Sequence, residues 1–582
     1  MRNLRKTSED QLRRSFSIKE IIFMLTSISL TIITLILLRC DYAANDDFYM
    51  MLIASGEYGS DSQYLIFINI IIGYFLKMLY SIVPTFNWYV AVQLGSVIIC
   101  FWILSFYILK NFEWIPACII KTIMFLCFEI PFYTSIQFSQ TAVVLCATGY
   151  VLLYYGCHAK RKSVTIIAVI ILLFGGLYRE GLYKLTTVLA VGMGFWGLFT
   201  IVREKSYLKI KQIIFQWIKS ERSYILISAL VYLTIYGLTV YNTTCYYDSN
   251  DFKAYKEYRA DISNITDYKM ASWNMLHDKY IEAGISQEEY VLLDNYILAD
   301  FDVFDHTELQ KIIDIKTFVD NKETFWANFV NILKSTFFIT DWNFGYLIVI
   351  GSAIFFTIMV GNRYGRFKLL IQFAIFIGII LFFCYIGRTR EYIEIGLAFS
   401  TFMSFVLAIQ GEWEYRKTKS RNLIITLFIL GTLIGATKNI NEKQIEINNF
   451  KQLYEADVEA LYSYMRANEN NFYMLNTNDT SYEFFGFPMN YIKGNQFCAN
   501  RYRLGDWMVN TPFTNKILKE YGIRNPIESM ITKENVFFVC RDDNMLNELC
   551  SYYSVEYQKA VVYDIVEQIG GYQVVKFTEV NE

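Results

Sequence analysis

Residues 16–38 read FSIKEIIFMLTSISLTIITLILL, and residues 40–50 read CDYAANDDFYM. The first stretch is apolar for long enough to cross a bilayer core, which takes roughly 20 residues. The second sets three carboxylates, Asp41, Asp46 and Asp47, directly beyond it. A basic cluster from Arg2 to Lys19 precedes both. Short segments rich in Lys and Arg stay on the cytoplasmic side. The chain therefore starts inside and delivers the acidic segment to the outer membrane surface. The apolar stretch lacks a clean small-residue cleavage site and many further spans follow it, so it reads as a retained helix and not as a cleaved signal.

The rest of the chain repeats the pattern. Of 582 residues, 54% are hydrophobic and only 19% charged, with 47 Phe and 45 Tyr against 6 Pro. Soluble domains carry about a quarter charged residues. The composition excludes a disordered chain and a small disulfide scaffold. Long apolar runs recur from residue 21 to about 436. Most of the 11 Cys sit inside them (Cys100, Cys118, Cys127, Cys146, Cys384), as small hydrophobes do. No CxxC pair occurs, and three His give no metal cluster. No basic domain supports nucleic-acid binding.

Residues 63–110, QYLIFINIIIGYFLKMLYSIVPTFNWYVAVQLGSVIICFWILSFYILK, fix the parity of the crossings. If both apolar runs cross, the Lys160-Arg161-Lys162 cluster falls outside, against the charge rule. If 63–83 lies along the outer interface, every basic cluster is cytoplasmic, including Arg203 to Arg222, Arg363 to Lys368 and Arg416 to Arg421. Asn69 and Lys77 also weaken 63–83 as a lipid-facing span, and Trp88-Tyr89 suit the outer end of the next one. The remaining spans fall at about 114–131, 138–157, 164–178, 184–201, 224–245, 342–360, 369–386, 392–409 and 421–437. The expected fold is a polytopic α-helical membrane protein with about 11 transmembrane helices and an interfacial helix in the first outer loop.

Four regions result: a transmembrane core at 1–245, a helical cap at 246–335, further transmembrane helices at 336–437 and a tail at 438–582. Cap and tail lie outside the membrane. In the tail, a probable helix at 442–469 is followed by strand candidates NFYML, VFFVC and YQVVKF. These alternate with helical NKILKEYG and NMLNELCSYY, the pattern of a small α/β domain.

Asp46 and Asp47 are the strongest chemical feature. Adjacent carboxylates at membrane depth repel each other and are costly to bury. Such a pair can hold a metal, or one member can act as general base. Alternatively Asn45 or Asp46 caps a short helix running into FYMMLIASGEYG. Outer basic residues come next: Arg179 in GLYREG, Arg388 and Arg390 in YIGRTREY, and more weakly Lys77 and Lys184. A guanidinium fork at an apolar helix end suits a phosphate. The competing uses are snorkelling to headgroups and pairing with Glu180 or Glu391. Glu129, Gln137 and Gln140 line a polar cavity or join helices by hydrogen bonds. The acids Asp300, Asp302 and Asp305 with His306 lack calcium-loop spacing and read as solvated cap surface.

Together these pieces resemble the GT-C class of polytopic glycosyltransferases, and more narrowly bacterial membrane glucosyl- or glycosyltransferases of cell-surface polysaccharides. In that class the first outer loop carries the catalytic carboxylate, interfacial helices follow, and an arginine stands at the outer end of a later short helix. Asp46-Asp47, the 63–83 run and Arg179 match these features over about 20–410. The WWDYG signature of oligosaccharyltransferases is missing. The resemblance implies an enzyme of the bacterial cytoplasmic membrane, with its N-terminus cytoplasmic and its C-terminus outside. It would transfer a sugar with inversion from a polyprenyl-phosphate donor to a surface polysaccharide or lipid-linked glycan. Asp47, or its neighbour Asp46, would be the base. Arg179, with Arg388, Arg390 or Lys77, would hold the phosphate. A divalent cation such as Mg²⁺ or Mn²⁺ is optional, because the phosphate leaves already charged. The alternatives are a polysaccharide polymerase or ligase using a lipid-diphosphate oligosaccharide, and a lipid-linked sugar transporter or flippase.

Overall fold

A computed structural model describes residues 17–204, 209–267, 270–316, 321–337, 344–386, 391–413, 419–450, 456–479 and 499–580. Among them, eight helices are long and apolar enough to cross a membrane: Ile18–Leu37, Trp88–Asn111, Trp114–Thr134, Phe138–His158, Glu180–Phe199, Ile210–Tyr247, Arg363–Ile386 and Ser420–Asn449. Four apolar helices are shorter: Ile70–Ile82, Lys162–Tyr178, Phe344–Met359 and Ile393–Ala408. The chain is a multi-spanning α-helical membrane protein in which each expected span has a helical counterpart. Local signals set the helix starts. Ser17 and Glu20 form a reciprocal capping box on the first helix. The Asn87 side chain accepts from the Val90 N–H, so the next long helix starts at Trp88.

The helices are sorted by end. At one end, β1 (Asp41–Tyr42) pairs in parallel with β2 (Ser135–Ile136), tying the acidic segment to the start of the Phe138–His158 helix. The Gln444 amide exchanges two hydrogen bonds with the Arg39 backbone at this end, 3.0 and 3.2 Å. At the other end, Lys110 pairs with Glu20 at 2.7 Å, and Gln410 bonds Tyr107 and Asn111. Lys368 pairs with Glu412 there. Among the described residues, Lys110 and Lys368 thus stand opposite the acidic loop.

The Ile70–Ile82 helix has both termini at the acidic end. Asn69 N–H donates to the Leu177 carbonyl, and Ile70 N–H to Asn242 Oδ1. At its far end Tyr80 bonds Asn87. Thirteen residues span about 20 Å, less than a hydrocarbon core. Both of its ends therefore stay at the acidic end of the bundle. Gly73 permits this, because a Cβ there would stand 2.0 Å from the Gln63 carbonyl oxygen.

The Trp114–Thr134 helix carries a π-turn at Phe125–Glu129, just before Pro131. A wider turn absorbs the missing N–H and the ring of a proline inside a helix. The turn directs Glu129 to Lys121, 2.5 Å away, with both side chains buried.

The last apolar helix runs unbroken over Lys419–Phe450, 32 residues or about 48 Å. It continues past the expected end at 437 and projects from the acidic end of the bundle. A five-stranded sheet follows in the order β4-β3-β5-β7-β6 (β3 Phe472–Leu475, β4 Arg501–Arg503, β5 Val536–Cys540, β6 Val561–Ile569, β7 Tyr572–Glu579). β3 is parallel to β4 and β5, and β7 is antiparallel to β5 and β6. All three strand candidates are strands. β4, β6 and the short Pro526–Thr532 helix were not expected.

Between the Ile210–Tyr247 and Phe344–Met359 helices run helices such as Asn250–Thr266 and His306–Lys316. The acidic segment 300–305 overturns one expectation. Asp300 is not solvated surface but fully buried. It accepts hydrogen bonds from Asn525 Nδ2 at 2.7 Å, Tyr552 OH at 2.9 Å and Tyr557 OH at 2.7 Å, all in the C-terminal domain. Asp302 meets the Arg524 guanidinium with both oxygens at 2.9 Å.

Candidate functional site

The Asn45–Ser55 helix begins without a side-chain cap, and Asp46 and Asp47 occupy its first turn. Consecutive helix positions point about 100° apart, so the two carboxylates enter different surroundings. Asp47 turns inward and is fully buried. Its Oδ1 accepts from Tyr89 OH at 2.8 Å, Gln93 Nε2 at 3.1 Å and the Phe138 backbone N–H at 3.0 Å. Thr141 fixes the Gln93 amide through a 3.1 Å bond. The other oxygen, Oδ2, is buried without a hydrogen-bond partner. Burial pushes the Asp47 carboxyl up to about 8, and the adjacent Asp46 charge adds to this against the pull of its three donors. At neutral pH Asp47 is mostly protonated.

Asp46 turns the other way and is half-buried. Loss of water raises its pKa above the usual carboxylate range, and Asp267 adds to this. Arg179, Arg259 and the Trp507 indole favour its charged form. Burial raises both carboxyls, and at Asp46 the Arg179 and Arg259 charges oppose it.

Arg179 stands at the junction of the Lys162–Tyr178 and Glu180–Gly194 helices. Its guanidinium lies 4.8 Å from the Phe138 ring centre and 5.9 Å from that of Phe67. Arg259 comes from the cap helix Asn250–Thr266, 3.9 Å from Asp267. One turn earlier, Lys256 donates to the Ile66 carbonyl and lies 4.3 Å from the Tyr246 ring centre. Burial and the Arg259 charge lower its pKa to about 8.

The C-terminal domain completes the surroundings. The loop after β4 places Trp507 edge-on to Phe67 at 4.8 Å and to Tyr49 at 5.7 Å. Arg503 donates to Tyr49 OH at 2.6 Å and faces Asp506 at 3.6 Å. Tyr255 of the cap bonds the Trp507 carbonyl at 2.8 Å. Four separate regions of the chain therefore meet around Asp46.

The structure brings Asp46, Asp47 and Arg179 together. Arg388 and Arg390 lie outside the described residues. Lys77 stands on the exposed face of the Ile70–Ile82 helix, 3.5 Å from Gln63. Gln137 and Gln140 line a small cavity with Gln93 and Thr141. Gln137 also caps the Phe138–His158 helix by accepting from the Gln140 N–H. Glu129 does not line that cavity and is held by Lys121 instead. Sequence reasoning gave no site role to Gln93, Lys256, Arg259 or Trp507. Arg259 and Lys256 carry one signal, basic residues among acids in a segment between apolar spans, and Trp507 carries none. Among the described residues, no three His, Cys, Asp or Glu side chains gather as a metal site.

Fold and site define a multi-spanning membrane protein with a mixed α/β domain that reaches back to an acidic loop at one end of the bundle. No family model, curated protein or solved structure matches this chain.

Proposed function

We propose that this protein transfers a sugar from a polyprenyl-phosphate donor to a hydroxyl of a cell-surface glycan, with inversion at the anomeric carbon. One observation carries the reading: Asp46 stands half-buried in the first turn of the Asn45–Ser55 helix, just beyond the end of the first helix, and the charges of Arg179 and Arg259 act on its carboxyl. A lipid-linked donor presents its phosphate and anomeric carbon at that depth. The acceptor oxygen attacks the anomeric carbon, and the bond to the phosphate oxygen breaks with its electron pair. The acceptor proton passes to Asp46. Arg179 and Arg259 stabilise the charge gathering on the departing phosphate. A carboxylate with a raised pKa is the stronger base.

The sequence alone favoured Asp47 as base. Our assignment moves to Asp46, because Asp47 is sealed off, satisfied by three donors and largely protonated. Asp47 then positions the helix through its three donors.

Turnover of a radiolabelled polyprenyl-phosphate sugar by purified protein tests this. Asp46→Asn is expected to cut turnover by about 10²–10⁴-fold, as for a positioned acid–base group, while donor retention in native mass spectrometry persists. Near-wild-type turnover in Asp46→Asn would remove it as base. Movement of intact donor across vesicles without transfer would favour the transporter reading.

A further inference from the structure

The end of the bundle opposite the acidic site holds a groove of about 420 Å³. Met24 of the first helix, Trp102, Ile103 and Phe106 of Trp88–Asn111, and Val164 and Ile167 of Lys162–Tyr178 form its apolar length. Ile99, Phe106 and Ile167 are exposed along it, so it opens sideways from the bundle. Trp102 is fixed by its indole N–H, which donates to Thr31 Oγ1 at 3.2 Å. Lys110, Asn111 and Arg161 close one end.

That end is net positive. Lys110 pairs with Glu20 at 2.7 Å, and its ammonium lies 5.6 Å from the Phe106 ring centre. The Arg161 guanidinium stands 5.7 Å from the Tyr155 ring centre. Lys160 and Lys162 flank Arg161 and are exposed. Among the described residues, Lys110, Lys160, Arg161 and Lys162 outnumber the acids Glu20, Glu113 and Glu221, the last of which is paired with His158.

The surroundings select the class of occupant. An apolar trough open to hydrocarbon is filled by a lipid chain and not by water. Its volume falls within the range of small-molecule sites, about 300–1,000 Å³. Basic pockets between membrane helices take anionic headgroups. We propose that the groove binds one anionic glycerophospholipid, with an acyl chain along Trp102 and Val164 and the phosphate against Lys110 and Arg161. This site lies apart from the acidic loop and does not depend on the function proposed above.

Native mass spectrometry of the full chain, delipidated and titrated with phosphatidylglycerol or phosphatidylcholine, tests it. Wild type is expected to retain one phosphatidylglycerol at roughly tenfold lower concentration than phosphatidylcholine. Arg161→Gln should bring the two lipids close together. Val164→Trp fills the apolar length without touching charge, and should reduce retention of both. Equal retention of the two lipids by wild type would overturn the proposal. So would retention unchanged in both variants, with melting temperature and elution volume confirming that each is folded.

Discussion

At the residue scale, the Asp46–Asp47 pair is two groups with opposite tasks, and pH separates them. An unfolded Asp titrates near about 3.9, whereas Asp47 in the fold titrates at about 8. Between these values the folded chain holds a proton that the unfolded chain has lost. Stability therefore falls as pH rises through this window and levels off above about 8, by up to about 1.4 kcal/mol per pH unit for one such proton. Asp47→Asn keeps an oxygen for the three donors but cannot ionise. Thermal melting in detergent from pH 5.5 to 8.5 should show wild type losing several degrees more than Asp47→Asn, the two starting close together at low pH. Parallel curves would show that Asp47 does not hold the proton. The pair was legible in the sequence, because adjacent acids just past an apolar span are unusual. Which member is enclosed was not, because its donors Tyr89, Gln93 and Phe138 are 42 to 91 residues away.

At the scale of elements, the Trp114–Thr134 helix shows why a polar residue in a span need not face a cavity. Its π-turn sets Glu129 against Lys121 in a pair closed to water. Losing one partner of a buried pair costs about 3–5 kcal/mol, while replacing both by neutral groups costs far less. Glu129→Gln alone should therefore lower the melting temperature sharply, and Lys121→Met with Glu129→Gln should recover most of it. No recovery in the double variant would mean that Glu129 acts through groups other than Lys121. Spans were readable because they must be long and apolar, and their basic flanks set the parity of the crossings. β6 was missed although Val561-Val562-Tyr563 and Ile565-Val566 are strand formers; among the described residues it is an edge strand paired with β7 and mostly exposed. β4 has only three residues, Arg501 to Arg503, and exists by virtue of pairing with β3.

At the scale of the whole molecule, the cap and the C-terminal domain act on the acidic loop as one unit, and Asp300 is their fastening. Besides its three side-chain donors it accepts the Asp302 and Val303 backbone N–H groups. Nearby, the Leu298 N–H donates to the Leu504 carbonyl at 2.7 Å, three residues before Trp507. Loosening this seam should release Trp507 from Tyr49 and Phe67, although Asp300 touches neither ring. Asp300→Ala takes the acceptor from the buried Tyr552 hydroxyl and the half-buried Tyr557 hydroxyl, while Asn525 keeps Asp302 at 3.0 Å; a buried group left unpaired costs about 1–3 kcal/mol. The spans share no contact with Asp300 and should stay intact. Hydrogen exchange is expected to quicken at 503–510 and 525–557 in Asp300→Ala, with the helices Trp88–Asn111 and Phe138–His158 as protected as in wild type. Turnover should fall with it, because Trp507 stands beside Asp46. Arg524→Ala removes only the exposed pair with Asp302 and should leave both measurements near wild type, as surface ion pairs contribute little. Unchanged exchange at 503–510 in Asp300→Ala would mean that the loop is held by its contacts with the Asn45–Ser55 helix alone, through Arg503 and Tyr49.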